Sequence, residues 1–279
     1  MLKQRILTAL VLAPLMIGGI FFLPLQYFSY FIGAIVTLAA WEWANLSGFS
    51  CQYRRVAYAA VMAAALFTTG SLMAQYPEAV KYTLVAGVAW WVIAFLLVLK
   101  YPNATGLWGA KITRALIGFV VLIPMWVGFV TLKEQANSSA LILFLMFLIW
   151  GADTGAYFAG KTWGKSKLAP NVSPGKSWAG FWGGVATTFA ITLIFGYIVE
   201  QNFHSLSQTE WIQLIVMGMV TTLVSVLGDL VESMFKRYRG IKDSSQLLPG
   251  HGGILDRTDS MASAVPVFAF FIWWFGWSL

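Results

Sequence analysis

Charge is what this 279-residue chain has least of. Acidic and basic residues together make up 10% of it, against about 25% in an average soluble domain. Apolar residues are 59% and mean hydropathy is +0.73, so too little polar surface exists to coat a water-soluble fold of this size. Cysteine is nearly absent too: Cys51 stands alone, which excludes an intrachain disulfide and a cysteine-based metal cage. The ten-residue alternation of outer-membrane barrel strands is missing, as are long polar linkers, internal repeats and low-complexity tracts.

What remains is a succession of apolar runs near the roughly 20 residues needed to span hydrocarbon. Spans are expected near 6–23, 27–46, 56–73, 83–100, 112–132, 140–158, 178–199, 211–234 and 260–278. The fold class is an all-α, polytopic membrane bundle of about nine helices. It forms one membrane domain over 1–279, with an apolar half (1–139) and a polar-decorated half (140–279). Lys3 and Arg5 followed by an apolar core resemble a secretion signal. No small-residue cleavage site follows, and the segment reads as a retained helix.

With the N-terminus cytoplasmic, 16 of the 18 Lys and Arg fall on the inside, and only Lys81 and Lys133 fall outside. That asymmetry sets the expected orientation. It also assigns the basic pI of about 9.5 to membrane topology and anionic headgroups rather than to nucleic acid.

Polar residues concentrate in two inside segments, 159–177 and 235–259. The run Ser233–Asp259 holds five cations, three carboxylates, His251 and four glycines. Carboxylates in or beside membrane spans are costly and read as functional by default. Asp153 lies in Gly-Ala-Asp-Thr-Gly near the inner end of the sixth span, and Asp229 near the inner end of the eighth. Asp256 and Asp259 open the ninth from the same side. Topology alone thus brings four carboxylates from three helices to one depth. Ser225, Asp229, Glu232, Ser233 and Lys236 share one helical face. Oxygen ligands of this kind suit a hard cation such as Mg²⁺; a buried polar network paired with Lys or Arg is the alternative.

Pro249-Gly-His-Gly-Gly253 precedes a helix start, where glycine lets backbone amides approach an anion. His251 is placed to contact phosphate or donate a proton, or else to serve the loop structurally. Ser173-Pro-Gly-Lys-Ser177 is not a P-loop, because Pro170 stands where that pattern needs glycine and no strand precedes it. Lys176 remains a candidate point charge for phosphate. Glu42, between Trp41 and Trp43, is either structural or lines a lipid access path. Gly180-x-x-x-Gly184 fits intrachain packing and a homodimer equally well.

The run from Ser233 to Asp259 resembles the signature of the phosphatidate cytidylyltransferases, the CDP-diacylglycerol synthases, in their bacterial form. The matching positions are Ser233, Phe235, Lys236, Arg237, Lys242, Asp243, Ser245, Leu248, Pro249, His251, Gly252, Gly253, Ile254, Asp256, Arg257 and Asp259, with no departure. The segments 151–156, 172–177 and 228–230 are also similar to this family. The resemblance implies transfer of CMP from CTP to phosphatidic acid, releasing pyrophosphate and dependent on Mg²⁺, with a second cation left open; length and composition look bacterial, and an inner membrane is expected. It implies metal binding by Asp229, Asp256 and Asp259, joined by Asp153. Lys236, Arg237, Lys242, Arg257 and Lys176 would hold phosphates, with His251 catalytic and Ser177, Gly252 and Gly253 completing the pocket. Ser233 and Asp243 would orient their neighbours. A CTP-dependent lipid or polyprenol kinase is the nearest alternative chemistry, and a transporter the alternative outside enzymes. CDP-alcohol phosphotransferases are excluded, since Asp256 and Asp259 are three residues apart and not four.

Overall fold

The computed structural model describes residues 2–279, with side chains described for all but 2–7, 9, 12 and 13. Lys3 and Arg5, used above to orient the chain, lie outside the described side chains. Nine long helices and one short one follow in order: α1 (Leu2–Phe22), α2 (Leu25–Leu46), α3 (Gln52–Gln75), α4 (Glu78–Leu99), α5 (Thr105–Trp108), α6 (Lys111–Glu134), α7 (Ser138–Trp163), α8 (Trp178–Asn202), α9 (Gln208–Arg239) and α10 (Leu255–Phe275). Each expected span overlaps one long helix. Seven of them, α3, α4 and α6–α10, are long and apolar enough to cross a membrane among the described residues. α2 falls short of that apolarity because it carries Gln26, Ser29, Tyr30 and Glu42.

Three boundaries differ from the sequence expectation. α9 continues to Arg239 and ends on Gly240 in the left-handed conformation, so Lys236 and Arg237 are helical rather than in a loop. α10 begins at Leu255, which puts Asp256 in its first turn. The segment after α7 folds into an antiparallel hairpin of β1 (Lys167–Ala169) and β2 (Ser173–Ser177). The apolar period of helices gives no warning of so short a hairpin.

The helix ends are marked locally. Pro24 and Pro77 stand just before α2 and α4, where a missing N–H is harmless. Ser207 and Glu210 form a reciprocal capping box at the start of α9. α6 and α10 are the most buried of the spanning helices and form the middle of the bundle, with α2, α4, α7 and α9 around them. Phe28, Phe129, Phe144 and Phe268 lie fully buried there. α7 and α8 approach until backbones touch: a Cβ on Gly155 would sit 2.6 Å from the Gly183 carbonyl, and one on Gly183 2.8 Å from that of Gly155. In a membrane such small-residue contact supplies the van der Waals packing that a hydrophobic effect cannot.

Two long-range hydrogen bonds tie the ends of α1 to opposite ends of the bundle. Thr8 Oγ1 donates to the Pro249 carbonyl at 3.0 Å, while Lys133 Nζ donates to the Ile20 carbonyl at 2.5 Å. The start of α1 and the 240–254 loop therefore share one face, as alternating spans require.

Gly155→Val forces the two backbones apart. It is expected to lower stability by about 1–3 kcal/mol, read as a fall in the thermal unfolding midpoint of the detergent-solubilised protein; an unchanged midpoint would contradict this packing.

Candidate active site

The polar residues meet where α9 and α10 come together. A Cβ at Gly228 would collide with Ser263 and with the carbonyl of Asp259, so only glycine permits this approach. Asp229 is thereby brought beside Asp259. Lys236, two turns further along α9, lies between two carboxylates: Glu232 Oε2 at 2.8 Å on its own helix and Asp256 Oδ1 at 2.7 Å on α10. The Lys236 side chain is only 13% exposed, Glu232 2% and Asp256 5%. An ammonium so enclosed must be paired, because low dielectric penalises a lone charge by several kcal/mol.

Asp256 accepts more than the lysine. Its Oδ2 receives hydrogen bonds from Ser244 N (2.9 Å), Ser244 Oγ (2.9 Å) and Gly253 N (2.7 Å). The carboxylate thus closes the glycine-rich loop onto the first turn of α10, where the helix N-terminus favours negative charge. Gly252 holds a φ of +83°, and a Cβ there would lie 2.7 Å from Asp256 Oδ2. Both facts require glycine. Asp259 accepts from the Ser260 amide at 2.7 Å.

The remaining candidates fall in two groups. Lys176 Nζ pairs with Asp229 Oδ2 at 2.6 Å, and Ser233 Oγ donates to Asp229 Oδ1 at 3.2 Å. Together with Asp153, Lys161, Gly175 and Ser177, Lys176 and Asp229 line a polar cavity of about 400 Å³. Ser177 itself caps α8, accepting from Gly180 N at 3.2 Å. Arg237 reaches the hairpin, its Nε donating to the Val172 carbonyl at 3.2 Å. Arg257 Nε donates to the His251 carbonyl at 3.0 Å. Lys242 and Asp243 are exposed on the turn after α9. His251 Nδ1 is buried without a hydrogen-bond partner.

Adjoining the polar cavity is an apolar one of about 720 Å³, walled by α4, α8, α9, α10 and the hairpin. Leu168, Phe181 and Val226 line both. An apolar groove thus lies directly beside a chamber carrying Lys176, Asp229 and Asp153.

The donor set bears on a metal. Among the described residues no cluster of three or more His, Cys, Asp or Glu is arranged as a protein-only cage. Yet Glu232 Oε1 is buried and unpartnered, and Asp229, Glu232, Asp256 and Asp259 outnumber Lys176 and Lys236. An uncompensated acidic interior of this kind fits a hard cation held by one or two carboxylates and completed by substrate oxygens, which is how Mg²⁺ is usually bound.

Sequence reasoning passed over two participants and left a third, Glu42, undecided. Glu232 was placed on the correct face but given no site role. Ser244 carried no signal beyond lying in the loop. Glu42 turns out to be fully buried and to accept from Ser244 Oγ (3.1 Å), Ser245 Oγ (2.6 Å), Ile254 N (3.0 Å) and Leu255 N (2.6 Å). Of its two readings the structure selects the structural one. The signal available was the cost of a carboxylate inside a span.

Lys236→Met leaves Glu232 and Asp256 facing each other without a cation. The variant is expected to lose about 3–5 kcal/mol of stability, seen as a lower unfolding midpoint in detergent, whereas Lys242→Met, on the exposed turn, should leave the midpoint unchanged.

Comparison with known proteins matches residues 3–275 to the Cytidylyltransferase family. The phosphatidate cytidylyltransferase of Pseudomonas aeruginosa is 49% identical over 277 residues, covering 99% of each chain. That of Haemophilus influenzae is 38% identical over 285 residues, covering 97% of this chain and 98% of its own. The Bacillus subtilis phosphatidate cytidylyltransferase is 30% identical over 277 residues and 97% of each chain.

Proposed function

The chain belongs to the cytidylyltransferase family, and from that premise we propose that it transfers CMP from CTP to phosphatidic acid, giving CDP-diacylglycerol and pyrophosphate. The observation that supports this reading is the adjacency of the two cavities: an apolar groove lies directly beside a charged chamber, with Leu168, Phe181 and Val226 as their common wall. A substrate with two acyl tails and a phosphate headgroup has the same two-part chemistry. The groove takes the tails, and the phosphate reaches Lys176 and Asp229.

In the reaction an oxygen of the lipid phosphate attacks the α-phosphorus of CTP. The new oxygen–phosphorus bond forms as the bond to the β-phosphate breaks, and pyrophosphate departs with the electron pair. The attacking phosphomonoester has a second pKa of about 6 and is already largely dianionic near neutrality. No strong general base is needed, and catalysis rests on positioning and charge neutralisation.

Lys176 and Lys236 are each held ready by carboxylates, which fixes their ammonium groups before polyanions arrive. Arg237, Lys242 and Arg257 extend the cationic surface toward the triphosphate and the leaving pyrophosphate. The half-buried His251 side chain orients the loop or meets a phosphate oxygen. Mg²⁺, held by Asp229, Asp256, Asp259 and Asp153 in part, would neutralise phosphate charge and polarise the phosphorus. The active site faces the cytoplasm of a bacterial inner membrane, as the Lys/Arg asymmetry of the sequence supports.

The test uses purified protein in micelles with phosphatidic acid, Mg²⁺ and CTP labelled on the α-phosphate. Label is expected in a lipid product with pyrophosphate released, both lost in Asp256→Asn and on chelation of Mg²⁺. Transfer of the γ-phosphate instead would identify a kinase. Leu223→Asp, on the wall of the groove, is expected to raise KM for long-chain phosphatidic acid about tenfold or more while sparing a dispersed short-chain analogue; equal effects on both would remove the groove from the reading.

A further inference from the structure

α2 belongs to the apolar half, remote in sequence from the signature, yet its inner end grips the catalytic loop. Glu42 accepts four hydrogen bonds, two on each oxygen, from Ser244, Ser245, Ile254 and Leu255. Asn45, one turn on, donates its side-chain amide to the Ser244 carbonyl at 3.2 Å. The Asn45 carbonyl in turn accepts from Arg239 Nε at 3.1 Å. Two residues three apart on one helix therefore hold Ser244 and the start of α10 together.

The grip meets Asp256 at a single atom. Ser244 Oγ lies 3.1 Å from Glu42 Oε2 and 2.9 Å from Asp256 Oδ2. A hydroxyl has one proton, so the two carboxylates compete for it and Ser244 sits between them. Ser244 N also donates to Asp256, which makes the residue a fixed spacer. Gly253 completes the arrangement: a Cβ there would lie 2.6 Å from each Glu42 oxygen. Water cannot stand in for these bonds, because Glu42 and Ser244 are both 0% exposed.

We propose that Glu42 is a positioning residue for transfer, acting through Ser244 to set the place of Asp256 and the pitch of α10. It touches no substrate. The inference rests on the cytidylyltransferase reading. It goes beyond it by making the apolar half part of the active-site scaffold. The carboxylate is needed because all four of its partners are donors. Glutamine is nearly isosteric but must aim its own N–H₂ at one of two backbone amides, Ile254 N or Leu255 N, neither of which can accept.

The experiment compares full-length wild type, Glu42→Gln, Glu42→Asp, Ser244→Ala and the Glu42→Gln/Ser244→Ala double variant. Each is purified as a monodisperse peak and assayed with α-labelled CTP and phosphatidic acid. Glu42→Gln and Ser244→Ala are expected to lower kcat about 10–100-fold, with KM for both substrates within about threefold. The double variant should be no slower than the worse single one, since both act on Asp256. Glu42→Asp, which keeps the charge, should exceed Glu42→Gln; a packing role ranks them the other way. Losses that multiply, a change confined to KM, Gln outperforming Asp, or a monodisperse Ser244→Ala within twofold of wild type would each overturn the proposal. If Glu42→Gln does not fold, Ser244→Ala decides alone. An inactive wild type would bring down the underlying reading, and this inference with it.

Discussion

One buried ammonium organises the polar half of the bundle. Lys236 must be neutralised where it sits, and the groups that do so come from two helices, Glu232 on α9 and Asp256 on α10. That requirement registers the helices against each other, and the glycine at 228 lets them come close enough to meet it. Asp256 can reach Lys236 only if the preceding loop is folded back, which its bonds to Ser244 and Gly253 accomplish. The loop is secured in turn by Glu42 of α2. A charge that hydrocarbon cannot tolerate alone is thus linked by successive hydrogen bonds to the far half of the chain.

The same logic separates what the sequence discloses from what it hides. Approximate spans are legible because hydrocarbon demands about 20 apolar residues per crossing, and among the described residues each run that was read overlaps a long helix, seven of them apolar enough to cross a membrane. The depth of Asp153, Asp229, Asp256 and Asp259 is legible too, since topology fixes which helix ends share a face. Pairing is not legible. Nothing in the one-dimensional pattern says that Lys176 meets Asp229 rather than Asp256, or that Glu42 meets a loop some two hundred residues away. Such partners are chosen by tertiary approach. The hairpin Lys167–Ser177 was hidden for a different reason: strands of three and five residues are too short to show a period of two.

The two cavities differ in chemistry as the two parts of an amphipathic molecule do. The apolar groove is bounded by side chains of the kind that face acyl chains, and the chamber beside it holds the charged groups. The hairpin stands between them, with Arg237 tying its tip to α9. A cation of α9 is thereby linked to the wall that both spaces share.

The groove also changes what concentration means for this protein. Its outer wall includes Val92, Phe95 and Leu99, each at least half exposed on the flank of α4, where the surrounding medium is hydrocarbon. A ligand arriving by that flank diffuses in two dimensions and is counted per unit of leaflet area, not per volume of cytosol. Diluting the membrane with inert lipid should slow turnover as effectively as withholding the lipid substrate. A soluble nucleotide, counted per volume of the aqueous phase, is indifferent to it.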